Sequence, residues 1–259
     1  MKKLIKYILT LIIILAAVHI TKDIIDFSRE IIILKDYKLK AKIKEEKMMH
    51  PTVKINSLMH EKLPGTGEDV YIRVSSATGF SIKYSPAENE SLVITNDHFC
   101  KGNFDGTKFL VETYRGGYEN GSSKGFSAKH VISMPVLDLC ILSVKGYIKP
   151  VEIVDYDHKV SPFEKIYVVG GPSGTFPIIF DSYVSRYMDR KDVNLGFLNS
   201  AGNPFILISE QVFPGHSGSP VFNEEGKVVG IVFGALKSYG GLVISSQDIL
   251  FVLSTLGES

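Results

Sequence analysis

The sequence predicts a mostly β protein of the sandwich or barrel kind, set behind a helical N-terminal segment. Three observations point there. From about residue 51 the chain breaks into short runs rich in β-branched and aromatic residues, among them VYIRVSS, FSIKYS, LVIT, KFLVETY, KIYVVG, FILIS and KVVGIVFG. Most are bounded by Gly, Asn, Asp, Pro or Ser, which favour turns and end strands. No stretch of helical period follows until SSQDILFVLSTL, where serines precede an apolar face of Ile249, Val252 and Leu256. Regular short strands without intervening helices close into sandwiches or barrels rather than parallel sheets.

Taken in order, residues 1–21 come first. An apolar run from Tyr7 to Ile20, broken only by Thr10 and His19, follows Lys2, Lys3 and Lys6. Its length falls between a signal-peptide core and a spanning helix. Counted from Leu4, with Lys6 snorkelling, it reaches across a thin bilayer. Small residues are poorly placed for signal cleavage around Leu15-Ala16-Ala17. An uncleaved transmembrane anchor is therefore expected, with secretion after cleavage as the alternative. The leading lysines put the N-terminus in the cytoplasm and the bulk of the chain outside. Residues 22–50 lack Gly and Pro and space Ile24, Phe27, Ile31 and Leu34 as a helix does, so a helical stalk or linker is expected. The lysines between Lys35 and Lys47 suit an anionic lipid surface or helix pairing as well as they suit a solvated spacer.

Residues 51–259 form the body. The 259 residues are 44% hydrophobic and 22% charged, with a net charge of +1. That balance is globular and gives no reason to expect a nucleic-acid partner. Cys100 and Cys140 are too few for a disulfide scaffold and do not space as zinc ligands, so they read as buried free thiols. No metal or organic cofactor is implied.

Three segments of the body belong together. LVITNDHFC ends a strand and releases His98 onto a turn. VLDLCILSV puts Asp138 just before a strongly apolar strand, and PGHSGSPVF sets Ser217 in a glycine turn before another strand. A serine hydroxyl needs a base to take its proton, and histidine is suited to that near neutral pH. A carboxylate then holds the right tautomer and stabilises the imidazolium. The attacked carbonyl becomes an oxyanion, which backbone amides must meet. The turn Gly215, His216 and Ser217 is expected to form this oxyanion hole, its glycine letting the Gly215 and Ser217 amides aim at one point, with one such donor worth roughly 3–4 kcal/mol. The order His, Asp, Ser differs from that of α/β-hydrolases and subtilisins, and Ser219 breaks the hydrolase elbow pattern. Ser173, in GGPSGTF, also stands in Gly-x-Ser-Gly, but no Pro-Val strand follows it, so it reads as a loop serine.

At these residues the body resembles the trypsin-like (chymotrypsin-fold) serine proteases, and within them the HtrA/DegP-like bacterial branch. GFSIKY with LVITNDH, FSAKHVISMPVLDLCILSV, PGHSGSPVFNEEGKVVGIVFG and GLVISSQDIL are similar to that branch's segments over roughly residues 67–256. The resemblance implies two antiparallel six-stranded β-barrels, about 51–150 and 151–259, with a C-terminal helix and the site between them. It implies a serine endopeptidase with a His98-Asp138-Ser217 triad, acting on protein or peptide substrates, and a homo-oligomer, a trimer; the anchor expected from residues 1–21 makes that endopeptidase membrane-anchored. The alternative is the same fold, inactive, serving as a binding scaffold at the membrane. Several positions depart from the family pattern. Asp97 stands where Ala is usual, His216 for Asn, Ser219 for Gly, and Phe233 where trypsins place a serine supporting the aspartate. With His216 before the nucleophile, no trypsin-like activation by a new N-terminus is expected. No PDZ domain is expected after the last helix. The substrate pocket is expected to be walled by Gln211, Val212, Phe233, Gly234 and Ala235. It carries no acid for Lys or Arg, so a small or medium aliphatic side chain is expected before the scissile bond.

Overall fold

Uninterrupted helix formers at the start of the chain give one helix, and a run of short apolar segments after it gives sheet. The computed structural model of the chain describes residues 2–101, 107–114, 118–119, 122–123, 125–193, 202–236 and 239–257; of these, the side chains of 2–18, 20, 23–24, 26, 118–119 and 122–123 are excepted. Two compact units result, Met1–Glu45 and Glu46–Ser259. The first is helix α1 (Lys2–Lys44). It runs without a break through the expected junction at 21/22, since neither Gly nor Pro interrupts it. Lys40 pairs with Asp36 one turn earlier at 2.8 Å, and Phe27, Ile32, Ile33 and Leu34 are exposed. Most of the expected membrane segment lies outside the described side chains. Among the described residues no helix is long and apolar enough to cross a membrane.

The second unit starts before the expected residue 51. A π-helical turn, Glu45–Met49, buries Met48 in the core, and Thr52 donates its hydroxyl to the Met48 carbonyl at 2.6 Å. Strands β1 (Thr52–Lys62), β2 (Asp69–Ser85) and β3 (Glu90–Thr95) follow. After the short helix α2 (Asp97–Lys101) come β4 (Lys108–Thr113), β5 (Phe126–Met134) and β6 (Leu139–Lys145). These six strands close an antiparallel barrel in the order β1-β2-β3-β6-β5-β4, with β4 returning to pair with β1. The second barrel is built from β7 (Lys165–Gly170), β8 (Ile178–Met188), β9 (Phe205–Ile208), β10 (Pro220–Phe222), β11 (Lys227–Leu236) and β12 (Gly240–Ser245). Its order is β10-β7-β8-β9-β12-β11, closed by β10–β11 pairing, with the two-residue strand Glu152–Ile153 added parallel to β11. Helix α3 (Ser246–Gly257) ends the described chain.

Three apolar cores explain the strand sequences. Each barrel has its own interior, and a third core lies between the barrels. Strand β6 shows why LCILSV reads as one continuous apolar run. Cys140, Leu142 and Val144 point into the first barrel, while Leu139 and Ile141 point at the second. Side chains alternate between faces along a strand, and here both faces are dry. Two barrels meeting across such a seam leave a cleft where the ends of β3, β6 and β10 converge.

Candidate active site

The first barrel supplies a histidine and a carboxylate. Strand β3 stops at Thr95, and α2 begins two residues later, so His98 sits in the helix's first turn. Asp138 lies at the end of the Met134–Asp138 turn, just ahead of β6, with φ of +57°. That backbone conformation is uncommon for a residue with a side chain, and aspartate is among those that tolerate it. It is held from several sides. The His98 amide donates to Asp138 Oδ1 at 2.7 Å, and His98 Nδ1 lies 2.7 Å from Oδ2. The Asp138 carbonyl accepts from the Asp97 amide at 3.1 Å and from Asn96 Nδ2 at 3.2 Å. The carboxylate is buried, so it orients the ring in a nearly dry setting. Asp97 is buried as well, 3.0 Å from Lys101 Nζ, rather than facing water.

The second barrel supplies the hydroxyl. Ser217 Oγ lies 3.1 Å from His98 Nε2, completing a line Asp138–His98–Ser217 across the cleft. The glycines on either side are required by space. Gly215 has φ of +97°, and a Cβ there would stand 2.3 Å from the Gly171 carbonyl oxygen. Gly218 has φ of +82°, and its Cβ would stand 1.9 Å from the Thr78 carbonyl oxygen. Among the described residues, neither the Gly215 nor the Ser217 amide is spent on a protein acceptor. The His216 amide differs: it donates to the Phe213 carbonyl at 3.0 Å, which closes the turn and removes it from the expected oxyanion set.

The His216 side chain is turned away from Ser217 and fully buried. Its Nδ1 accepts from the Phe213 amide at 3.0 Å, and the ring meets Phe180 edge-on at 5.0 Å. Nε2 has no acceptor among the described residues. Burial pushes the imidazole down from 6.5 to about 4. Between those values the unfolded chain binds a proton that the fold refuses, so stability falls as pH falls through this window. The full contribution is present above 6.5, and about 3 kcal/mol goes by pH 4. Thermal melts from pH 7 to pH 4 should show His216→Asn losing distinctly less stability than the wild type. Parallel slopes for the two proteins would remove His216 as the cause.

Beside Ser217 opens a cavity of about 220 Å³, lined by Val212, Phe213, Pro214, His216, Ser217, Val232, Gly234 and Ala235. No acidic or basic side chain stands among them apart from the buried, neutral His216. Two expected wall residues lie elsewhere. Gln211 is exposed and does not line the cavity. Strand β11 bulges against β12 between Val232 and Gly234, with Phe233 the extra residue of the bulge. It turns into the core between the barrels, edge-on to the His98 ring at 5.9 Å and stacked on Phe205 at 5.5 Å.

Cys100 and Cys140, expected as free thiols, form a disulfide with Cα atoms 6.5 Å apart. A signal for it exists in the sequence. Each cysteine follows a member of the His98–Asp138 pair by two residues, so bringing ring and carboxylate together brings the thiols together. Closing a loop of 40 residues restricts the unfolded chain by about 4 kcal/mol on the loop-entropy account.

Comparison with known proteins matches this architecture. A probable periplasmic serine endoprotease DegP-like of Pseudomonas putida is 28% identical over 158 residues, covering 61% of this chain and 28% of its own length. The serine protease Do-like HtrB of Bacillus subtilis is 27% identical over 195 residues, covering 71% of this chain and 40% of its own. The chain thus spans well under half of these relatives. Among solved structures, an HtrA-type protease with a tripeptide superposes with a TM-score of 0.62 at 18% identity, covering 83% of this chain and 62% of that one. The Rv3671c protease of M. tuberculosis in its active form gives 0.60 at 22% identity, covering 83% and 84%. The family model of the trypsin-like peptidase domain matches residues 77–231, a span that takes in His98, Asp138 and Ser217 and more than half of the chain. With two closed six-stranded barrels and that match over most of them, the chain belongs to the trypsin-like peptidase family.

Proposed function

We propose that the protein is a serine endopeptidase in which Ser217 is the nucleophile, His98 the base and Asp138 the group that orients it. The observation that carries this reading is the unbroken line from Asp138 Oδ2 to His98 Nδ1 at 2.7 Å and from His98 Nε2 to Ser217 Oγ at 3.1 Å. Asp138 accepts a hydrogen bond from Nδ1–H, which leaves the Nε2 lone pair facing the hydroxyl. As Ser217 Oγ attacks a peptide carbonyl, its proton passes to Nε2, and Asp138 stabilises the imidazolium. The carbonyl oxygen takes up the electron pair and meets the Gly215 and Ser217 amides. Collapse returns the proton to the leaving amine and leaves an acyl-serine, which water then hydrolyses by the same steps in reverse order.

The apolar cavity beside Ser217 suits a small or medium aliphatic side chain before the scissile bond. The body acts outside the cytoplasm, held to the membrane by residues 1–21. A disulfide between buried cysteines fits an oxidising compartment, and the DegP-like relatives are named as periplasmic. No observation favours the inactive scaffold.

The test is to treat the full chain, in detergent, with a fluorophosphonate probe and to map the modified residue by mass spectrometry. Modification at Ser217, together with cleavage of a peptide library after aliphatic residues, is the expected result. A folded protein that takes no probe, or takes it at Ser173, overturns the reading. A profile dominated by Lys or Arg overturns the pocket assignment alone.

A further inference from the structure

We propose that Thr78 is a positioning residue that sets the oxyanion hole from the opposite barrel. The inference rests on the peptidase reading above and assigns a part to a residue outside the triad.

Thr78 is fully buried on β2 of the first barrel, yet its hydroxyl and its amide make three hydrogen bonds to the nucleophile turn of the second or the loop beside it. Its hydroxyl donates to the Gly215 carbonyl at 2.8 Å and accepts from the Gly171 amide at 3.0 Å. Its amide donates to the Ser217 carbonyl at 2.9 Å. Both residues whose amides would meet the oxyanion are therefore gripped by their carbonyls. The remaining group, the Thr78 carbonyl, accepts the Thr95 hydroxyl at 2.7 Å. Thr95 ends the strand that delivers His98. Through Thr78, the base on one barrel and the oxyanion donors on the other share one fixed reference.

The direction of each amide follows from peptide geometry. In a trans peptide the N–H and the preceding C=O point to opposite sides. The Pro214 carbonyl is held by the Ser173 amide at 2.8 Å, so the Gly215 N–H faces the other way. The His216 carbonyl is held by the Ser219 amide at 2.9 Å, which does the same for the Ser217 N–H. The weak point is Gly215, where no Cβ resists rotation of either flanking peptide. The Thr78 hydroxyl holds the peptide that follows it. The Ser173 and Gly171 amides belong to the Gly171–Gly174 loop, which Lys54 Nζ fastens to the first barrel by a 3.0 Å bond to the Gly174 carbonyl. Threonine suits this place because a hydroxyl donates and accepts at once, and a β-branched side chain has few rotamers to choose from.

Thr78→Val keeps the shape and removes both hydroxyl bonds, while Thr78→Ser keeps the hydroxyl. Turnover of a fluorogenic peptide should show kcat for the valine variant lowered about a hundredfold, at the low end for loss of one oxyanion donor, with KM within about twofold. The serine variant should return to within a few-fold of wild type. Amide hydrogen exchange over residues 213–219, read by mass spectrometry on the same proteins, should speed up about tenfold in the valine variant only, as a buried bond is lost. Unchanged kcat and unchanged exchange in Thr78→Val overturn the proposal, as does a loss that serine fails to restore. Exchange needs no turnover. A wild type that is inactive yet shows the exchange difference would count against the peptidase reading and not against the positioning of the turn by Thr78.

Discussion

Ser217→Ala is expected to lower kcat about a million-fold with little change in folding. Without the hydroxyl no acyl-enzyme forms, and what survives is binding and the two amides, worth about a thousandfold over water. Stability should be spared because the turn is held by its backbone. The Ser217 carbonyl accepts from Thr78, and the Gly218 amide donates to Val232 at 2.9 Å; neither bond involves Oγ. Peptide turnover and a thermal melt check both halves. Residual turnover above about one per cent of wild type, far more than the amides alone supply, would move the nucleophile elsewhere.

Asp138→Asn is expected to lower kcat about ten-thousand-fold. The two carboxylate oxygens have separate tasks here. Oδ1 accepts from the His98 amide and Oδ2 from the His98 ring. An asparagine keeps its Oδ1 on the backbone and turns an NH2 toward the ring. Nδ1 must then accept, the ring proton moves to Nε2, and Nε2 no longer takes a proton from Ser217. The fold should be preserved, since the backbone bond at Oδ1 survives. A pH–rate profile of the variant against wild type checks this. In the Ser217→Ala background the same change should cost almost nothing, because a misoriented base has no hydroxyl left to serve. A further large loss in the double variant would mean that Asp138 acts outside the triad.

The strands of the body, and the segments that carry His98, Asp138 and Ser217, were legible in the sequence because both are written locally. Apolar runs and turn residues announce strands, and a glycine-flanked serine announces its turn. The two-barrel closure came from resemblance, since pairing such as β4 with β1 joins segments far apart in the chain. What was missed depends on single departures from regularity. The bulge at Phe233 shifts one residue from the cavity to the side of His98, and alternation along β11 does not foretell it. Membership of the turn is visible for His216, whereas the bond that takes its amide to the Phe213 carbonyl is not. Thr78 carried no signal, because its partners are backbone groups, whose positions sequence does not spell out. The disulfide did carry one, in the matching two-residue offsets from His98 and Asp138.

The division of the site between barrels also orders its manufacture. A chain is made from its N-terminus, and domains tend to fold as units in that order. His98, Asp138 and the cysteines that tie their segments together all lie in the first barrel, which closes upon itself by β4–β1 pairing. Ser217 and the amides of its turn lie in the second. On the peptidase reading proposed above, the half that emerges first holds a base with nothing to activate, and cutting power arises only when the later half docks. On that reading the growing polypeptide is shielded from its own chemistry by the sequence of its synthesis.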